Sequence, residues 1–139
     1  MLLQVGVKAL IKNNSGKYLL IKRSVVMNGE TSASWDIPGG RIDPSETLLE
    51  ALTRELGEEI GLTNVPGDYQ LIAAQDIFVK EKDLHVVRLT YKVSCDIQQI
   101  KLSQEHSEYC WVDENEIHEI QAEPYLKEVL VGLVSNQEN

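Results

Sequence analysis

The chain has 139 residues, 42% of them hydrophobic and 25% charged, with 22 acidic against 13 basic side chains and a formal net charge of −9. That length buries one core without covalent staples, so a single domain over residues 1–139 is expected. The acidic balance argues against a protein that grips nucleic acid along its backbone, and no extended nucleic-acid surface is expected. No apolar run approaches a membrane span. The opening MLLQVGVKALIKNN has neither a basic leader nor a small-residue cleavage site; its alternation suits a strand, and the expected address is the cytoplasm. Cys95 and Cys110 lack metal-type spacing and, without a secretory signal, read as two reduced thiols.

Two strands are predicted first, over residues 4–12 and 17–23, joined by Asn13-Asn14-Ser15-Gly16, whose composition favours a hairpin turn. Residues 24–34 are polar and contain a glycine, so they read as a loop. A short strand over 35–37 is ended by Pro38-Gly39-Gly40, a breaker cluster expected to turn the chain sharply. A helix is predicted over 47–60: Thr47 with Glu50 forms a capping box, and Gly61 supplies the stop. Asp43 with Glu46 is a competing box, with Pro44 suited to a first helical position. Two long strands, over 69–82 and 84–95, form a hairpin around Lys82-Asp83. A short strand at 109–112 and helical pieces over 113–118 and 124–134 complete the chain. Strands interleaved with helices predict a mixed sheet covered by helices, in the α+β or α/β range.

On the predicted helix, a turn of about 100° per residue places Leu49, Leu52, Leu56 and Ile60 on one core-facing stripe. Glu55, Glu58 and Glu59 fall on the adjoining sector, at the margin between core and solvent. Like charges at these spacings repel, and all three sit near the negative end of the helix dipole, where each costs a few tenths of a kcal/mol, roughly. Arg54 offsets some of that cost as a neighbouring cation. Taken alone, such a run reads as a solvated acidic face; its surroundings give it another meaning.

From Gly40 the chain reads GRIDPSETLLEALTRELGEEIGL. This stretch, residues 40–62, resembles without departure the Nudix box, in which a glycine, a glutamate and the run R-E-U-x-E-E-x-G-U (U aliphatic) recur at fixed spacing. The matching residues are Gly40, Glu46, Arg54, Glu55, Leu56, Glu58, Glu59, Gly61 and Leu62. The approach Trp35-Asp36-Ile37-Pro38-Gly39-Gly40 and the segment from Glu105 to Trp111 also resemble the family. The resemblance implies the Nudix fold, a mixed β-sheet sandwiched between helices in an α/β/α arrangement. It also implies metal-dependent hydrolysis of a diphosphate bond in a nucleoside diphosphate linked to a further group. The implied metal is Mg²⁺, with Mn²⁺ as a substitute, held by Glu55, Glu58, Glu59, Glu105 and the Gly39 carbonyl; magnesium prefers oxygen ligands and retains waters, so the protein fills only part of its shell. Glu55, Glu58, Arg54 and Glu105 form the implied catalytic set, with Arg54 holding the carboxylates and Glu105 serving as metal ligand or base.

Outside the box, Arg23 resembles a basic position that meets substrate phosphate, where arginine's forked donors suit the contact. Asp36 and Trp35 stand where relatives recognise the nucleobase, although Trp35 suits a core position equally well. His106 beside Glu105 reads as a solvated loop histidine. The leading expectation is a MutT-like (d)NTP pyrophosphohydrolase acting on a small-molecule nucleotide. An RNA 5′-pyrophosphohydrolase, an ADP-ribose-type pyrophosphatase and a non-catalytic nucleotide-sensing module stay open beside it. An isoprenoid isomerase of this fold needs a cysteine before the box, where this chain has none. Homodimerisation, common in the family, is allowed.

Overall fold

The computed structural model describes residues 1–25, 34–63 and 68–137; most of the loop expected over 24–34 lies outside them. Side-chain alternation in the first two strands sets the architecture. β1 (Leu2–Lys12) and β2 (Tyr18–Arg23) form an antiparallel pair in which Lys12 faces Tyr18. Asn13 organises the turn between them, its Oδ1 accepting from the Ser15 and Lys17 N–H groups at 3.0 and 2.9 Å. Successive side chains of a strand point to opposite faces. Val7, Ala9, Ile11, Leu19 and Ile21 therefore enter one core, while Leu10, Tyr18 and Leu20 enter another. The first core is closed by α1 (Leu48–Ile60), the second by α2 (Glu114–Ile117) and α3 (Pro124–Gln137). A sheet buried on both faces by helices is the expected α/β/α arrangement.

Among the described residues the sheet has seven strands, completed by β3 (Trp35–Asp36), β4 (Gly39–Arg41), β5 (Gln70–Val79), β6 (Leu84–Ser94) and β7 (His106–Val112). Its main path runs β3-β2-β1-β6-β5, with β4 paired to β1 and β7 to β2. β1 and β6 run parallel in unbroken register from Leu2 opposite Leu84 to Lys12 opposite Ser94. That register sets Gly6 beside Arg88 and Lys8 beside Thr90, on the face that carries Leu10.

Four expectations change in detail. The Pro38-Gly39-Gly40 cluster turns the chain but also pairs, because Gly39 at φ 143° lets β4 come close enough to β1 for Lys8 to face Gly39 and Val7 to face Gly40. A Cβ on Gly39 would stand 2.0 Å from the Val7 carbonyl oxygen, so only glycine fits. The long hairpin is shorter than expected, since Lys80–Lys82 form a 3-10 turn closed by Asp83 in the left-handed region. β7 starts at His106 rather than at 109, which pairs His106 with Arg23. Finally, both capping patterns are half realised: Thr47 caps α1 by accepting from Glu50 N at 3.2 Å, and Glu46 Oε1 accepts from Asp43 N at 2.7 Å.

Leu49 leaves the core stripe. It is 43% exposed, whereas Ala51, Leu52, Leu56 and Ile60 are fully buried. The buried face of α1 is rotated from the expected stripe toward the carboxylates, and Glu59 falls inside it at 8% exposure.

Candidate active site

α1 brings three glutamates to one end of the molecule in three different environments. Glu59 is buried, the Glu55 carboxylate is nearly so, and the Glu58 side chain is 60% exposed. They do not share one margin. Burial pushes the Glu59 carboxyl up to about 7; the Lys8 charge and the Gly39 N–H, which donates to Glu59 Oε2 at 3.3 Å, oppose the shift without cancelling it, while Glu55 and Asp36 add to it.

Arg54 ties the acids together. Its Nε and Nη2 donate to the two oxygens of Glu46 at 2.7 and 2.9 Å, and its Nη1 to Glu55 Oε1 at 2.8 Å. Nη2 also donates to the Arg41 carbonyl at 3.0 Å, and Nη1 reaches Glu58 Oε2 at 3.4 Å. Hydrogen bonds from Arg54 hold Glu46 well below the usual range, at about 2, and the acceptance of its bonds by Glu46 and Glu55 raises the Arg54 pKa. Glu46 in turn fixes the loop through the Asp43 N–H, so it stands behind the other acids as a support for Arg54.

The end of α1 also fixes Glu105. Gly61, in the left-handed region at φ 73°, closes the helix by donating to the Gly57 carbonyl. The carbonyls left over accept from the following segment, Glu59 O from Ser103 N at 3.0 Å and Ile60 O from Lys101 N at 2.9 Å. From the other side, Ser24 N donates to Glu105 O at 2.8 Å. Glu105 thereby joins Glu55, Glu58 and Glu59 as a wall of one pocket of about 310 Å³. His106 lies beside it with Nε2 4.0 Å from Glu59 Oε2 and Nδ1 3.3 Å from Ser103 Oγ, half-buried rather than solvated. Burial lowers its pKa, and Lys8 adds to the effect.

Four carboxylates around one pocket are an oxygen-only donor set, the chemistry that suits a hard divalent cation. Among the described residues, no three His, Cys, Asp or Glu side chains are drawn together closely enough to hold a metal ion as they stand. Glu55 is engaged by Arg54 and Glu59 by the Gly39 N–H, while the exposed Glu58 has room to turn.

A second cavity, about 420 Å³, opens on the sheet face toward α3 and is lined by Lys8, Arg23, Asp36, Gly40, Arg88 and Glu123 among others. Asp36 sits in it between two cations. Arg88 spans both its oxygens at 2.9 and 3.2 Å, and Lys8 Nζ approaches at 3.4 Å. Burial would raise the Asp36 pKa, but Lys8 and Arg88 outweigh it and hold the carboxyl at about 2. Arg88, its side chain 7% exposed, also approaches Glu123 Oε2 at 3.5 Å. Burial raises the Glu123 pKa, with Asp36 adding to it and Arg88 opposing it.

Arg23 lines this cleft and a neighbouring pocket that contains Glu59, Glu105 and His106, so it stands between the acids and the cleft. Trp35 lines neither. It is half-buried against the α3 core, with Lys22 Nζ 5.6 Å from its ring centre. Its backbone holds residues 121–123 in place: Trp35 N donates to Gln121 O at 2.9 Å and Glu123 N to Trp35 O at 2.8 Å, which sets Glu123 beside Arg88. Lys8, Arg88 and Glu123 are absent from the sequence-based set. The sequence signal available for Arg88 is its place between Val86 and Thr90 on one face of the strand predicted over 84–95; the structure buries both neighbours.

The description of the NUDIX domain fits residues 2–131. The nucleoside triphosphatase NudI of Escherichia coli O17:K52:H18 is 30% identical over 110 residues, covering 71% of this chain and 74% of that protein. The CTP pyrophosphohydrolase of E. coli K12 is 32% identical over 82 residues, 59% of this chain and 58% of its own. The crystal structure of a MutT protein from Methanosarcina mazei Go1 superposes with a TM-score of 0.84 at 29% identity, over 99% of this chain and 97% of the other. Among the described residues no helix is long and apolar enough to cross a membrane.

Proposed function

The chain belongs to the NUDIX family and is a hydrolase that works with a divalent metal ion, and from that membership we propose that it is a MutT-like pyrophosphohydrolase cleaving a phosphoanhydride bond of a (deoxy)nucleoside triphosphate, with Mg²⁺ as the metal. One NUDIX domain spans residues 1–139 in this proposal. The observation that carries it is one pocket walled by Glu55, Glu58, Glu59 and Glu105, joined through the neighbouring pocket of Glu59, Glu105 and Arg23 to a cleft of nucleotide size that Arg23 also lines.

Glu55, Glu58, Glu59 and Glu105, with the Gly39 carbonyl, are the groups that would hold the metal. When bound, it neutralises the diphosphate, polarises the attacked phosphorus and acidifies water. Arg54 keeps Glu55 and Glu58 facing the pocket and limits their mutual repulsion. Glu58 or Glu105, both exposed, takes the proton from the attacking water. Arg23 meets a substrate phosphate, and Asp36 lies on the nucleoside side, where it fixes Lys8 and Arg88 at the cleft floor. Trp35 serves that side indirectly, by holding Glu123 to the cleft. Positioning and charge stabilisation carry most of the rate in such phosphorus chemistry.

The deciding experiment is a substrate panel assayed with Mg²⁺ and with Mn²⁺: nucleoside triphosphates, oxidised deoxynucleoside triphosphates, ADP-ribose, dinucleoside polyphosphates and triphosphorylated RNA. Preferred hydrolysis of one or more triphosphates is expected. Preference for ADP-ribose or for RNA overturns the substrate class. Tight nucleotide binding without hydrolysis of any compound would point to a sensing module.

A further inference from the structure

Lys8 sits on β1 where the acidic pocket and the charged cleft meet. Its Nζ donates to the Ile37 carbonyl at 3.2 Å and stands 3.4 Å from Asp36 Oδ2. Its charge acts in both directions, drawing down Asp36 on one side and Glu59 on the other. The backbone is shaped around it. A Cβ on Gly39 would come within 2.9 Å of Lys8 Cδ, so the lysine stem crosses a position with no side chain to block it. Next to it, Gly40 borders both sites: it lines the cleft, and a Cβ there would strike the Glu55 carboxylate at 2.5 Å.

A lysine kept only to balance Asp36 would be redundant, since Arg88 already spans both oxygens of that carboxylate. An ammonium also has three donors. One is directed at the Ile37 carbonyl, the ammonium is ion-paired with Asp36 at 3.4 Å, and the remaining donors are available to whatever occupies the cleft that Lys8 lines. A compact point charge at the border between a diphosphate pocket and a nucleoside cleft suits an anionic oxygen rather than a neutral base edge.

We propose that Lys8 is a specificity-determining residue that binds the substrate phosphate nearest the nucleoside, held ready for it by Asp36 and the Ile37 carbonyl. This rests on the assignment of the chain as a nucleoside triphosphate hydrolase. It makes recognition of the nucleoside and of its first phosphate separable: a 5′-monophosphate carries the group that Lys8 binds, and the bare nucleoside does not.

Calorimetric binding of the common deoxynucleoside 5′-monophosphates and their nucleosides, without divalent metal, tests this on the wild-type protein, Lys8→Met and Lys8→Arg. Lys8→Met is expected to weaken the best-bound monophosphate by about tenfold or more, the size of one charge-assisted contact. Binding of the matching nucleoside stays within about twofold, as it does not use that contact. Lys8→Arg keeps most of the monophosphate affinity. Thermal unfolding monitors each variant, and Lys8→Gln carries the same expectation should Lys8→Met fail to fold. Unchanged monophosphate binding, or equal weakening of both ligands, overturns the proposal. If the wild-type protein binds no 5′-monophosphate and also hydrolyses no triphosphate, the underlying assignment fails with it; if it hydrolyses triphosphates yet binds no monophosphate, only the Lys8 proposal fails.

Discussion

Glu59, which is buried, and Asp36, which is partly buried, lie within the influence of the same lysine and end in opposite states. Glu59 is pushed up to about 7, while Asp36 is held at about 2. Burial disfavours the charged form of both. The difference lies in the close partners: Asp36 has Arg88 across both oxygens and Lys8 beside it, whereas Glu59 has one long backbone hydrogen bond, a histidine at 4.0 Å and a repelling Glu55. The cleft beside α3 is therefore charge-balanced by the protein itself. The pocket beside α1 is not, and its acids make electrostatic sense once a cation joins them.

The largest effect that can break this contrast is on turnover. Glu59→Gln is expected to lower kcat by about a hundredfold or more, measured at saturating substrate and metal, with the thermal midpoint held or raised because a buried carboxylate is gone. Near-wild-type turnover would place the metal elsewhere. Asp36→Asn is expected to act chiefly on the fold: Arg88 stays buried with only Glu123 to balance it, a loss of about 3 kcal/mol on the scale of a broken buried pair, read by urea denaturation. An undiminished midpoint would mean that the cleft does not depend on its internal ion pairs.

The two acids also set opposite pH slopes. Glu59 has a folded pKa above its ordinary 4.5, so its contribution is full below about 4.5 and is lost as pH rises through about 7. Asp36 has a folded pKa below its ordinary 3.8, so its contribution is full above that value and is lost as pH falls toward 2. Thermal unfolding of metal-free protein should thus show a decline between pH 5 and 7.5, on the order of 2 kcal/mol, that Glu59→Gln abolishes. The same slope in that variant would assign it to another group. The smallest effect concerns the border between the sites. Gly40→Ala crowds the Glu55 carboxylate and should reduce kcat by about tenfold, as a disturbed ligand support does, while stability changes by less than about 1 kcal/mol; a fully active variant would show that Glu55 can move aside freely.

What the sequence makes legible is local. The spacing of Glu55, Glu58 and Glu59, the hairpin chemistry at Asn13–Gly16 and the Gly61 stop each depend on residues a few positions apart, where helix and turn geometry act directly. A helical wheel orders side chains around an axis but does not say which sector the sheet will occupy, so it puts Leu49 in the core and Glu59 at the margin, where the structure has the reverse. The cleft was hidden for a different reason. Lys8, Arg88 and Glu123 come from three distant parts of the chain, brought together by the parallel register of β1 with β6 and by the backbone bonds of Trp35 to residues 121–123. Glu105 is a candidate in the sequence by resemblance alone; its place beside the glutamates follows from Lys101 and Ser103 docking on the last carbonyls of α1, which no local pattern encodes.

The contrast between the two acids is tested most directly by titrating Mn²⁺ into metal-free protein near pH 6.5, in two buffers of different ionisation enthalpy. The wild-type protein should bind the ion and release a fraction of a proton from Glu59 as it does so, Glu59→Gln should bind far more weakly with no such release, and Asp36→Asn should release protons like the wild type. Mn²⁺ bound equally tightly by Glu59→Gln, with the same proton release, would contradict the assignment of the pocket beside α1 as the place that waits for a cation.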